Sequence, residues 1–275
     1  MAANYGEVIE TERITPRIIR VILGGEGLAD FTPTPFTDQY VNALIIPDGA
    51  PYEVPFDVEH ARSLAVEHRP AGRRYTIRWW DESTRRLALD FVVHGDVGRA
   101  GRWANHAQPG DRLQFLGPSG AYAPDPEADE HLMVGDESAI PAISASLERV
   151  PEGRRVQAVL VVDDLDNRLV LESPGELDII WVHRCEADPG DRDQLLRAVE
   201  AIELGTGHVQ AFVHGEANEV RSIRRHLLGE RGIPREHTSI SPYWRRDHTD
   251  EQWREVKKEW LREWEGDTPP TTTDS

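Results

Sequence analysis

Arg73-Arg74-Tyr75-Thr76-Ile77-Arg78 alternates guanidinium, aromatic and hydroxyl groups along a stretch that reads as a β-strand. On a strand, Arg73 and Tyr75 project to one face, Arg74 and Thr76 to the other. That supply suits a flat amphipathic ring with a phosphate tail. The ring needs an aromatic wall and donors at its edge; the phosphates need guanidinium or backbone N–H groups. A second stretch runs His94-Gly95-Asp96-Val97-Gly98-Arg99-Ala100-Gly101-Arg102-Trp103-Ala104. Its small residues precede a helix start, where backbone N–H groups can approach an anion. A third, Gly135-Asp136-Glu137-Ser138-Ala139, follows an apolar strand and opens a helix. That is where a parallel sheet binds dinucleotides. The plain alternatives are an exposed arginine-bearing strand for the first stretch and an acidic helix N-cap for the third. Gly-x-Gly-x-x-Gly is missing from the third stretch, which argues against an ordinary Rossmann dehydrogenase. Little acid–base machinery separates the motifs, so the chemistry they suit is electron transfer.

The elements that must carry these groups fall into two sets. Before residue 124, short apolar runs alternate with turn signals. Residues 7–23 read as one strand, followed by 40–46, 74–80, 87–94 and 112–117, which predicts a small β-barrel. Pro124 to Glu130 is polar and reads as a linker. After it, strands at 131–134, 156–162, 178–183 and 208–213 alternate with helical patterns at 138–150, 191–203 and 218–228. This alternation predicts a parallel sheet with crossover helices. Trp253, Val256, Trp260, Leu261 and Trp264 form one stripe of an amphipathic helix over 248–265, and 266–275 reads as a disordered tail. The expected domains are therefore 1–123, 131–247 and the C-terminal helix.

The chain has 275 residues, 39% of them apolar, with eight Trp, enough for packed cores. One cysteine, Cys185, excludes a disulfide within the chain and a Cys-ligated zinc or iron–sulfur site. Following an apolar run, Cys185 is expected to be a packed thiol. The net charge of -18 disfavours nucleic acid and anionic membranes. No apolar run reaches membrane-span length, and the N-terminus shows no secretory pattern, so a cytoplasmic protein is expected.

Taken in order, the three motifs resemble those of the siderophore-interacting, ferric-siderophore-reductase branch of the ferredoxin reductase-like flavoproteins. The resemblance covers about residues 5 to 265. It implies a β-barrel flavin domain, an α/β nicotinamide domain and noncovalent FAD. Arg73 would contact the pyrophosphate, Tyr75 and Thr76 the ring, with Arg78 at a position where the branch also shows Arg. Gly98, Ala100, Gly101, Arg102, Trp103 and Ala104 would form the phosphate-binding turn, and His94 a further flavin contact. Arg99 and Gly101 stand where the family has Pro and a small residue. Gly117-Pro118-Ser119-Gly120-Ala121-Tyr122 matches the barrel's closing segment. Gly135, Asp136, Glu137, Ser138 and Ala139 match the branch's nicotinamide motif, with Ser138 for Thr. Gly215-Glu216 matches its Gly-Glu, and Tyr243-Trp244-Arg245 its Tyr-Trp-Arg, the aromatic pair covering the flavin.

Asp163 and Asp164 end the strand after that motif, and an acid there favours a free ribose hydroxyl, hence NADH over NADPH. The implied substrate is an anionic ferric siderophore, which needs a local basic pocket on so acidic a chain. Asn42, Asp247 and His248 replace a Lys, a Gly and a basic residue of the family. The remaining candidates are Arg245, Arg246, His248 and the chain's two lysines, Lys257 and Lys258. Two other readings stay open: a siderophore carrier without turnover, and a flavoprotein fed by a ferredoxin-type partner. The acidic surface weighs against docking an acidic ferredoxin.

Overall fold

A computed structural model describes residues 3–95, 98–188 and 190–265. The expected tail, 266–275, lies outside them, as do Asp96 and Val97 of the second motif. The chain divides into two compact units. One holds the residues up to Ala123 with Ser144–Ser146, the other Pro124–Ile143 and the chain from Leu147 onward.

In the first unit, β1 (Ala3–Thr15), β2 (Ile18–Gly24), β3 (Tyr40–Ile45), β4 (Ala71–Asp81), β5 (Arg86–Val92) and β6 (Arg112–Ser119) close a barrel in the order β1-β2-β5-β4-β3-β6. The single strand expected over 7–23 is instead an antiparallel hairpin with Thr15 opposite Ile18. Pro16 cannot donate to a ladder, and the Arg17 N–H bonds the Thr15 hydroxyl at 3.2 Å, which turns the chain there. Val21, Leu23, Leu89, Phe91 and Phe115 are fully buried inside. Across β2 and β5, Arg20 forks onto Asp90 at 2.7 and 2.8 Å. Two helices accompany the barrel. The first is α1 (Val58–Ser63), whose N-cap Asp57 accepts from Glu59 and His60 N–H groups. The second is α2 (Arg99–His106), which buries Ala100, Gly101 and Ala104.

The second unit is built on five parallel strands: β7 (Glu130–Asp136), β8 (Arg155–Val162), β9 (Glu176–His183), β10 (Val209–Glu216) and β11 (Thr238–Trp244). Their order is β11-β10-β7-β8-β9. Central β7 is buried along its whole length, as its apolar run requires of a sheet covered on both faces. Helices α3 (Ile140–Leu147), α4 (Gln194–Ala201) and α5 (Ala217–Arg225) follow β7, β9 and β10. Sequence reading missed β11. Its serines and Pro242 weaken the apolar alternation, and Pro is tolerated because β11 is an edge strand.

Helix α6 (Asp250–Glu265) turns Trp253, Trp260 and Trp264 into the second core, each 5% exposed or less. The rings meet edge to face, and Arg221 and Arg224 lie over Trp260 and Trp264. Among the described residues no helix is long and apolar enough to cross a membrane. Cys185 corrects an expectation: it is exposed, on the short turn after edge strand β9.

Candidate functional site

In the barrel, β4 presents Arg73, Tyr75 and Arg78 partly exposed, with Thr76 buried. The Arg73 guanidinium donates to its neighbour's carbonyl, Gly72 O, at 3.0 Å. Tyr75 packs on Phe91 of β5 with ring centroids 4.1 Å apart, and Phe91 packs on Trp103 of α2 at 5.5 Å. An aromatic row thus joins the first motif to the second. At the head of α2, Gly98 has a φ of 79°, a left-handed conformation natural to glycine, and a Cβ there would meet nothing within 4 Å. Without a side chain, Gly98 supplies no cap to the first N–H groups of α2. A glycine-led helix start beside an arginine-bearing, aromatic-walled strand fits the phosphates and ring of FAD. Arg102 pairs with Asp48 and His94 with Arg17, so these two motif side chains also hold the loops around that turn.

In the second unit, the third motif and the later Gly-Glu and Tyr-Trp-Arg converge on the C-terminal edge of the sheet. Asp136 lies at the hub. Its Oδ1 accepts from Ser138 N (2.8 Å) and Ser138 Oγ (2.5 Å), its Oδ2 from Glu216 N (2.9 Å) and Trp244 Nε1 (2.7 Å). One carboxylate therefore ties together the ends of β7, β10 and β11. Close approach explains both glycines. A Cβ on Gly215 would sit 2.7 Å from Asp136 Oδ2, and one on Gly135 would sit 2.6 Å from the Ala139 Cβ and 2.8 Å from His214 O.

Glu216 caps α5, accepting from Asn218 N (2.7 Å) and Glu219 N (3.0 Å), and its other oxygen accepts from Arg246 N at 3.0 Å. Tyr243 is fixed by a 2.9 Å bond to His214. Burial pushes the His214 imidazole down to about 3, so it is neutral.

Glu137 is buried, and Arg184 Nη1 donates to both of its oxygens, at 2.6 and 2.9 Å, and to Asp163 at 3.1 Å. Burial raises the Glu137 carboxyl, against the pull of Arg184. Sequence reading missed Arg184, although its place directly after the apolar run 178–183 marks it as a strand-end residue. It also missed Glu219 of α5, buried and bonded to Arg246 Nη2 at 3.3 Å. Of the basic candidates, Lys257 donates to Pro242 O at 2.7 Å and lies over Trp253. His248 donates from Nδ1 to Arg246 O at 3.0 Å. Arg245 is half-buried and Lys258 exposed. Asp247, at the family's glycine position, has a φ of 60°.

An antiparallel barrel that can hold FAD, followed by a parallel α/β unit with a prepared C-terminal edge, defines a ferredoxin reductase-like flavoprotein. A ferredoxin NADP+ reductase from Neisseria gonorrhoeae shares this fold at 14% identity and a TM-score of 0.59, over 89% of this chain and 100% of that one. Residues 7–122 match the siderophore-interacting FAD-binding domain and residues 128–247 the siderophore-interacting protein model. The ferric vibriobactin reductase ViuB of Vibrio cholerae is 33% identical over 91% of this chain and 92% of its own. The NADPH-dependent ferric-chelate reductase of Escherichia coli is 30% identical over 86% and 91%. The crystal structure of a siderophore utilization protein from T. fusca is 37% identical, with a TM-score of 0.76 and coverage of 90% and 95%. The chain belongs to the siderophore-interacting protein family.

Proposed function

We propose that the chain is an FAD-dependent ferric-siderophore reductase of the cytoplasm, fed by NADH or NADPH and releasing iron as iron(II). The observation that supports this best is the barrel's open helix start beside the row Tyr75–Phe91–Trp103, on a domain of the family's FAD-binding type. Arg73, Arg78 and the start of α2, from its N-cap Gly98 to Ala104, would hold the FAD phosphates, with Tyr75, Thr76 and His94 at its ring. When bound, FAD supplies the exchange between a two-electron dinucleotide donor and one-electron iron chemistry. The turn Gly135–Ala139, with Gly215 and Glu216, would form the dinucleotide side. There Asp136 and Glu216 spend their oxygens on holding strand ends, so their part is to fix the edge against which the donor lies.

Iron(III) binds hard oxygen chelators more tightly than iron(II), so reduction loosens the complex and no protein base is required. Arg245, His248 and Lys258 would supply positive charge to an anionic ferric complex. Arg246 and Lys257, bonded to Glu219 and Pro242, would contribute from fixed positions.

The test is purified protein mixed anaerobically with each dinucleotide and a ferric siderophore. A yellow protein whose flavin bleaches on mixing, with iron(II) trapped by a chromogenic chelator, is the expected result. Colourless protein that takes up no added FAD would refute the reading. Bleaching by a reduced ferredoxin but by neither dinucleotide would move the donor to another class.

A further inference from the structure

Beside the edge just described lies a cavity of about 290 Å³, lined by Arg184 after β9, by Asp188, Asp191 and Arg192 before α4, by Glu219 of α5 and by Arg246 after β11. Two of its lining groups have unmet hydrogen-bonding capacity. Glu219 is 8% exposed, and its Oε2, out of solvent, meets no donor among the described residues. Arg184 Nη2 likewise meets no acceptor there. Natural proteins rarely leave such atoms unpaired, and a ligand that offers an acceptor to one and a proton partner to the other would satisfy both. A ribose and its phosphate have that chemistry: guanidinium for phosphate, carboxyl for hydroxyl.

We propose that Glu219 sets which form of the dinucleotide the donor site accepts. As a neutral acid it donates to a ribose phosphate held by Arg184; as a carboxylate it repels that phosphate and accepts from a free ribose hydroxyl. This rests on the reading of the C-terminal edge as the donor site. The charged groups around Glu219 come from every neighbouring element. Asp136 at the end of β7 and Glu216 at the end of β10 disfavour its ionisation, while Arg184 and Arg246 favour it. Across the cavity, Asp191 is held by Arg197, Arg192 reaches the exposed Asp247 at 3.6 Å, and Asp188 lies on the same loop. Burial is the largest influence, and with its acidic neighbours it pushes Glu219 up to about 7. The switch therefore falls at neutral pH.

The test uses the whole protein and two fragments, 2′,5′-ADP for the phosphorylated donor and 5′-AMP for the other, titrated calorimetrically at pH 6.5 and 8.5. A ligand that requires the protonated acid loses roughly twenty-fold in affinity over that interval. The expected result is such a loss for 2′,5′-ADP with no comparable loss for 5′-AMP. In Glu219→Gln, which keeps a neutral donor, the 2′,5′-ADP affinity should be flat with pH and near the wild-type acid value. Because the phosphate's own ionisation near pH 6 affects wild type and variant alike, the comparison removes it. Glu219→Ala should also lose the pH dependence. A pH-flat wild type, or an unchanged dependence in Glu219→Gln, overturns the inference. If both dinucleotides bleach the flavin while the fragments show no switch, only this inference falls. If neither bleaches it, the donor reading falls as well.

Discussion

Replacing Asp136 tests whether the C-terminal edge of the second sheet is held by one side chain. Asp136 is 1% exposed and accepts four hydrogen bonds, two on each oxygen. In Asp136→Asn the amide nitrogen must face one pair of donors. It will face Ser138, because the hydroxyl there can turn round and accept, whereas Glu216 N and Trp244 Nε1 can only donate. The variant then loses the bond from Ser138 N and the charge assistance on the other bonds. Ser138 is half-buried, so water can reach its N–H, and the acidic neighbours Glu137 and Glu219 gain from the lost charge. The net cost should be about 2 kcal/mol. Asp136→Ala strands two donors besides, the buried Glu216 N and the part-buried Trp244 Nε1, at about 1–3 kcal/mol each, for a total of about 4–8 kcal/mol. Urea unfolding followed by tryptophan fluorescence measures both. The order Ala worse than Asn, by 2 kcal/mol or more, is the expected result. Equal costs, or a cost below about 1 kcal/mol for Ala, would refute the role of Asp136 as the clamp.

Other outcomes follow from the same geometry. Glu219 titrates near 7 in the native state against about 4.3 in an unfolded chain, so the folded protein binds the extra proton between those values. Its contribution is fully present below about pH 4.3 and falls as pH rises to 7, by about 4 kcal/mol in all; relative to wild type, Glu219→Gln should therefore gain in thermal midpoint between pH 5 and pH 8.5, and a pH-independent difference would contradict this. Asp247→Gly relieves a non-glycine residue at φ 60° and should be neutral or stabilising by up to about 1 kcal/mol in the same melts. Arg73→Ala should lower FAD content after gel filtration by a charge-assisted contact of about 1.5–3 kcal/mol, whereas Arg62→Ala, on exposed α1, should not. Trp260→Ala empties the middle of the α6 stripe and should cost about 3–5 kcal/mol in urea.

The sequence announced the elements whose punctuation is local. Gly and Pro bracket β3 and β6, and the apolar runs of β7, β8 and β10 have the length of buried parallel strands. It hid the elements that depend on neighbours. Ile14 and Ile18 continue an apolar pattern through Pro16, so the β1–β2 hairpin looks like one strand until their pairing is seen. The half-polar β11 becomes a strand only because β10 offers it a parallel edge. The motifs were legible as positions but not as jobs. Gly135 and Gly215 read as motif positions at the nicotinamide site, and the structure shows them making room for Ala139 and for Asp136. Glu219, three residues after Glu216, reads as one more acid in a helix's first turn; its burial comes from the chain that returns after β11 and from the loop before α4.

That burial separates two kinds of acid at the same edge. Where parallel strands end, backbone N–H groups lose their ladder partners and must be satisfied by other means. Asp136 takes Ser138 N and Glu216 N, Glu137 takes Asp163 N, and Glu216 takes Asn218, Glu219 and Arg246 N–H groups. These carboxylates stand in for missing backbone acceptors. Their ligand-facing value is indirect: they keep β7, β10 and β11 in register at the crossover where a dinucleotide would lie. Glu219 has no such backbone duty. It bears the desolvation cost of the same edge with one arginine bond at 3.3 Å and an oxygen left over. A buried acid whose protonation nothing local has settled is the group whose state an incoming ligand can decide.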